Sequence, residues 1–133
     1  MKSHIINFRV RYAETDQMGV VHHGNYAKFL EMGRIEWLRN LGFSYKEMEE
    51  DNIILPVISM NVNFKKSANY DDLIQVKTTL LNTPGVKIKF GYQIHNEKGE
   101  LLTTAETILA FMDKSRMKPI ACPEELLAKI ESL

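Results

Sequence analysis

Tyr12-Ala13-Glu14-Thr15-Asp16-Gln17-Met18-Gly19-Val20-Val21-His22-His23-Gly24-Asn25-Tyr26 joins two segments of different period, and its reading decides the architecture. Downstream, Tyr26, Phe29, Leu30, Gly33, Trp37, Leu38 and Leu41 recur at helical spacing on one face. Asn25 stands where a capping side chain would, and Gly42 follows the last apolar position, where a helix-ending glycine belongs. The spacing predicts a helix over residues 25–41. Upstream, Ile6, Phe8 and Val10 alternate with Asn7, Arg9 and Arg11, which predicts a first strand. The quoted stretch is then a loop carrying one carboxylate, Asp16, a short way ahead of a helix start. Unpaired N–H groups at a helix start hold an oxyanion, and a loop carboxylate attacks a carbonyl or activates water against it. A surface turn with Asp16 merely solvated is the other reading of these residues taken alone.

Beyond the helix, Ser44 precedes Glu47 at capping-box spacing and predicts a short second helix to about residue 51. Strands follow. Residues 56–66 form one, with Val62 and Phe64 on one face, and 72–81 form another. Asn82-Thr83-Pro84-Gly85 supplies a turn. Val86, Ile88, Phe90, Tyr92 and Ile94 alternate strictly with Lys87, Lys89, Gly91, Gln93 and His95, the pattern of a half-buried strand. Asn96-Glu97-Lys98-Gly99 turns it into a last strand from Leu101 to about residue 112. Pro123 at a first helical position, with Leu126, Leu127 and Ile130 spaced behind it, predicts a terminal helix. One long helix with four or five mostly hairpin-linked strands is an α+β layout. A sheet curled around the helix would bury it, with Gly33 allowing a strand to approach closely. So few strands leave sheet edges, which pairing between copies covers.

The 133 residues suit a single domain, and no repeat or linker divides them. Seventeen basic and 17 acidic residues give a net charge of zero, so no global footprint for nucleic acid exists. Cys122 is the only cysteine, which excludes an intrachain disulfide, and no motif around it marks a nucleophile. The start of the chain lacks the apolar core of a signal peptide, and the apolar run 53–58 is far too short to span a bilayer. No membrane insertion and a cytoplasmic location are the expectations.

The pattern Tyr12-x-x-Thr15-Asp16-x-x-Gly19-Val20-Val21-x-His23-x-Asn25-Tyr26, continuing to Glu31 and Arg34, resembles the signature of hotdog-fold acyl-CoA thioesterases. The likeness is to the 4-hydroxybenzoyl-CoA thioesterase type, and more closely to its bacterial branch associated with the Tol-Pal system. It extends through Asn69-Tyr70-Asp71-Asp72 to Lys118-Pro119-Ile120 and Pro123. The resemblance implies a hotdog fold, an antiparallel sheet wrapped around one long central helix, with active sites at a dimer interface. It implies that Asp16 is the catalytic carboxylate, as nucleophile or general base, two roles the sequence leaves open. It places the backbone N–H of His23, supported by Gly24, Asn25 and the helix dipole, against the thioester oxygen. Tyrosine stands at the His23 position in the 4-hydroxybenzoyl branch, and histidine in the Tol-Pal-associated one. Catalysis by the imidazole itself is left open.

Coenzyme A would enter as part of the substrate, with no separate cofactor and no metal. Candidate substrate contacts are Asn25 and Tyr26 at the helix start. Lys65, Lys66 and the cluster Lys114, Arg116 and Lys118 are candidates for the phosphates, and Ser59, Met60 and Asn61 for an acyl pocket shared with a partner copy. Other arginines of the 4-hydroxybenzoyl relative fall on Pro84 and Gly85 here, so its phosphate contacts do not transfer whole. His22 and His23 also invite a metal reading, but no spaced ligand set completes a site. Glu31 is expected to pair with Arg34 or a nearby loop. A hotdog dehydratase or hydratase would use His23 with Glu31, and its Pro/Gly-rich histidine motif is absent. A non-catalytic acyl-CoA-binding regulator is the third reading. The expected assembly is a homodimer or homotetramer.

Overall fold

Strand β1 (Ser3–Arg9) is followed by two 3-10 turns, Tyr12–Glu14 and His23–Asn25, and by helix α1 (Tyr26–Asn40). Then come helix α2 (Tyr45–Glu50) and strands β2 (Ile53–Ile54), β3 (Val57–Phe64), β4 (Leu73–Leu80), β5 (Lys87–His95) and β6 (Leu101–Ala110). Strands β7 (Met112–Asp113) and β8 (Lys118–Pro119) and helix α3 (Glu124–Glu131) complete the chain. This is a computed structural model, and it describes residues 2–133.

Five strands form one antiparallel sheet in the order β1-β4-β5-β6-β3, with α1 against its inner face. The period-two pattern sets which side chains meet the helix. Ile74, Val76, Thr78 and Leu80 of β4 and Ile88, Phe90, Tyr92 and Ile94 of β5 are buried, while their neighbours face outward. From the helix, Phe29, Leu30, Trp37 and Leu38 complete the core. Fully burying such a side chain contributes about 1.5–3 kcal/mol. Gly33 permits the close approach expected of it: a Cβ there would lie 2.4 Å from Thr78 Oγ1 and 3.2 Å from Val76 Cγ1.

The end of α1 also follows from sequence. Gly42 has φ +90, its N–H donates to the Arg39 carbonyl, and the Phe43 N–H donates to the Leu38 carbonyl at 3.0 Å. These are the two bonds of a Schellman stop. Ser44 Oγ accepts from the Glu47 N–H at 3.2 Å and starts α2. At α3, Pro123 precedes the first helical residue rather than occupying it.

Two further local expectations are corrected, and one feature is added. Asn25 does not cap α1 with its side chain; it closes a 3-10 turn, and its Nδ2 donates to the Glu14 carbonyl at 2.8 Å. No ion pair joins Glu31 to Arg34 among the described residues. Glu31 is exposed, while Arg34 turns inward, 4% exposed, and its Nη1 donates to Tyr92 Oη at 3.4 Å. Tyr92 in turn shares a 2.6 Å hydrogen bond with Thr107 Oγ1. Burial pushes the Tyr45 and Tyr92 phenols up, so neither gives the guanidinium a counter-charge at neutral pH, and Arg34 Nε is left without a partner. Lastly, β2, β7 and β8 form a second, small sheet that the sequence did not announce. Asn52, at φ 66, anchors it by donating to Asp113 Oδ1 at 2.9 Å.

Burial pushes the Cys122 thiol up to about 11, which keeps it protonated and inert at neutral pH. No helix among the described residues is long and apolar enough to cross a membrane.

Candidate active site

The loop carrying Asp16 is a small hairpin. Thr15 bridges Val21, the Asp16 N–H donates to the Val20 carbonyl at 2.9 Å, and the Gly19 N–H returns to the Asp16 carbonyl at 3.0 Å. Gly19, at φ +78, takes the left-handed position that the turn needs. Asp16 Oδ1 accepts from the Met18 N–H at 2.8 Å, which fixes one carboxylate oxygen. Oδ2 has no protein donor among the described residues. The side chain is exposed.

Two further segments hold this hairpin. Asn69-Tyr70-Asp71-Asp72 forms a tight turn in which Asp72 Oδ2 accepts from the Asn69 N–H at 2.8 Å and Asp71 adopts φ 67. Asn69 bridges Val20, and the Val10 and Asp72 backbones bond at 2.9 Å, so the turn ties the loop to the sheet. On the other side, the Glu14 carbonyl accepts both the His22 N–H at 2.9 Å and Asn25 Nδ2 at 2.8 Å. The Glu14 side chain is buried at 5% exposure, accepting from the Arg11 N–H at 2.7 Å and Arg11 Nη2 at 3.0 Å. Glu14 gives no signal in sequence, because a buried carboxylate bonded to its own turn has no periodic or motif pattern of its own.

Asp16, Val21, His23, Tyr26, Phe64, Lys65, Lys66 and Ser67 line one groove of about 260 Å³. Tyr26 and Phe64 pack edge-to-face at 5.0 Å and give it an apolar wall. The groove thus unites Asp16 with the helix start and with the two lysines that the sequence singled out. Lys66 is engaged with Glu100, whereas Lys65 has no carboxylate partner among the described residues.

Other expected site residues lie apart from this groove. Ser59, Met60 and Asn61 sit on β3, with Ser59 opposite Ile108 and Asn61 opposite Glu106 on the outer face and Met60 opposite Thr107 on the inner one. Arg116 is held by Asp113 through Nη2 at 3.0 Å and Nε at 3.2 Å, and Lys118 lies on β8. The Arg116 N–H, the Ser115 hydroxyl and the Arg116 guanidinium hold the Asp113 carboxyl well below the usual range. Larger hollows of about 680 and 540 Å³ lie beside α2 and α3 and on the outer sheet face, and neither contains a residue of the motif at 12–26. No group of three or more metal-ligating side chains occurs among the described residues.

At the helix start the donors are unequal. The Asn25 N–H donates to the His22 carbonyl and the Tyr26 N–H to the His23 carbonyl, while the Gly24 N–H donates to His22 Nδ1 at 3.1 Å. The His23 N–H alone in this turn has no acceptor among the described residues. Gly24, expected to share the oxyanion role, is therefore occupied.

An antiparallel sheet packed on one long helix is the hotdog arrangement. Residues 10–130 match the model of the thioesterase-like superfamily, and the chain belongs to that family; it is a thioester hydrolase. It is 41% identical over 111 residues to YneP of Bacillus subtilis strain 168, a candidate acyl-CoA thioesterase, covering 84% of this chain and 80% of that one. Against the acyl-CoA thioester hydrolase YbgC of Escherichia coli O6:H1 the identity is 32%, with 92% of each chain covered. The DHNA-CoA thioesterase of Staphylococcus aureus superposes with a TM-score of 0.93 at 41% identity, over 100% of this chain and 93% of the other.

Proposed function

We propose that the protein hydrolyses an acyl-CoA thioester to a carboxylic acid and free coenzyme A, using Asp16 as the catalytic carboxylate and the His23 N–H as oxyanion donor. The observation that carries this reading is the groove lined by both Asp16 and His23, whose backbone N–H has no acceptor among the described residues. The carboxylate acts as nucleophile or as the base that activates water, since both roles require the same group near the carbonyl. Negative charge developing on the carbonyl oxygen meets the His23 N–H and the positive end of α1. Expulsion of a thiolate needs no metal or further cofactor. Lys65 is the lysine in the groove left for a phosphate of coenzyme A. The dehydratase reading loses support because Glu31 is exposed on α1 and does not line the groove.

The test is thiol release from short, medium, long and aromatic acyl-CoAs, followed with a thiol-trapping dye. Aromatic substrates belong in the panel because the S. aureus relative is named for DHNA-CoA. Release from at least one class is expected, and none from any class would refute the reading. His23→Ala is expected to retain substantial turnover, since the variant keeps the backbone N–H. Collapse of turnover in folded His23→Ala, with loss of a limb of the pH–rate profile, would give proton transfer to the imidazole instead.

The groove and β3 both support an assembly of copies. The groove, of about 260 Å³, is smaller than the roughly 300–1,000 Å³ of an ordinary ligand site, which supports a site shared between copies. Strand β3 is a sheet edge and exposes Val57, Ile58, Met60 and Phe64, an apolar edge that isolated chains avoid. A homodimer at minimum is expected, with Asp16 of one protomer facing residues 59–61 of its partner. Sedimentation at assay concentration checks it, and a fully active monomer would remove the shared site.

A further inference from the structure

His22 lines neither the core nor the groove, yet its side chain makes two contacts at the helix start. Its Nδ1 accepts the Gly24 N–H at 3.1 Å, and its ring stacks on that of His23, with centroids 4.4 Å apart and an interplanar angle of 29°. An acceptor Nδ1 places the ring proton on Nε2. The ring also occupies the space above Gly24, where an added Cβ would lie 3.1 Å from Nδ1 and 3.2 Å from Cε1. The His22 backbone is fixed at both ends: its N–H goes to the Glu14 carbonyl and its carbonyl receives the Asn25 N–H, each at 2.9 Å.

We propose that His22 is a positioning residue for the acyl carbonyl, a proposal that rests on the thioesterase reading above. By binding the Gly24 N–H and backing the His23 ring, it locks the turn in which the His23 N–H is the single free donor. Gly24 has no side chain with which to hold this turn, so the bond from Nδ1 stands in for one. Without that acceptor, two unpaired N–H groups share a loosened helix start, and neither is aimed. A donor misaimed by a fraction of an ångström loses its effect in the transition state while ground-state binding survives.

His22→Asn, His22→Phe and His22→Ala separate the acceptor from the ring. An asparagine carbonyl also reaches the N–H two residues on, as in an Asx-turn, whereas phenylalanine keeps the ring and loses the acceptor. His22 is exposed, so none of these changes burdens the core. His22→Asn should stay within about threefold of the parent, while His22→Phe and His22→Ala lose on the order of 10- to 100-fold in kcat with KM nearly unchanged. Hydrogen exchange at the Gly24 amide gives a readout independent of turnover, slow in the parent and in His22→Asn and fast in His22→Phe. Equal kcat in all four proteins, a rise in His22→Phe, or a loss confined to KM would each overturn the positioning role. A parent protein that cleaves no acyl-CoA overturns the thioesterase reading, and this role with it, a result distinct from equal activity in all variants.

Discussion

Asp16→Asn is expected to yield a folded protein whose thioesterase turnover falls by roughly 10²–10⁴-fold, the usual cost of losing a positioned general base. A covalent role would raise the loss further. Asparagine keeps the shape of the side chain, and its carbonyl oxygen can still accept the Met18 N–H that now fixes Asp16 Oδ1. The hairpin itself rests on backbone bonds at Asp16, Gly19 and Val20, which the substitution leaves in place. Only the negative charge is removed, at an exposed position. Near-parental turnover in Asp16→Asn would sink the assignment. Loss in Glu31→Gln alone would move the catalytic role to the helix.

The parts of this fold that were legible in sequence are those with a period or a forced backbone. Strict alternation across Ile88, Phe90, Tyr92 and Ile94 fixed which face of β5 is buried, because a one-residue slip would expose the whole set. Gly42 marked the end of α1 because few other residues accept its positive φ. Two-residue strands such as β2, β7 and β8 have no period to detect, and their small sheet is defined by Asn52 and Asp113, 61 residues apart. The place of β3 beside β6 was equally hidden, since sequence neighbours suggest hairpins and this pairing is long-range.

At the site, Asp16, His23 and Tyr26 line one groove, because their spacing along one loop and helix start is local. What the motif could not give was the competition among donors. Whether Asn25 caps the helix or reaches back to Glu14, and whether the Gly24 N–H is free or taken by His22, depends on how the folded turn orients each side chain. Arg34 shows the same limit. Its position on α1 puts it within reach of Glu31, and the packing of Tyr92 and Thr107 draws it inward instead.

Gly33→Ala tests how tightly α1 is seated, because two opposed effects act at one methyl group. Replacing glycine inside a helix gains about 1 kcal/mol of helix propensity. Against that, the new Cβ would sit 2.4 Å from Thr78 Oγ1, on a strand held between β1 and β5. Thr78 is fully buried, so turning its Oγ1 aside presses its other branch on packed neighbours. Overpacking of this kind costs about 1–3 kcal/mol, so the clash outweighs the propensity gain and Tm falls. Thr78→Ala removes the nearest obstructing atom, Oγ1, which is also a buried hydroxyl with no hydrogen-bond partner. The double variant Gly33→Ala/Thr78→Ala should therefore be more stable than the sum of the single changes, a coupling of about 0.5–3 kcal/mol in a double-mutant cycle. Melting at one fixed protein concentration keeps any assembly equilibrium constant. A rise in Tm for Gly33→Ala alone, or strict additivity in the cycle, would contradict the contact. Because α1 carries Tyr26 and begins at the turn that holds His23, lifting it from β4 should also lower turnover, and the double variant should recover turnover and stability together.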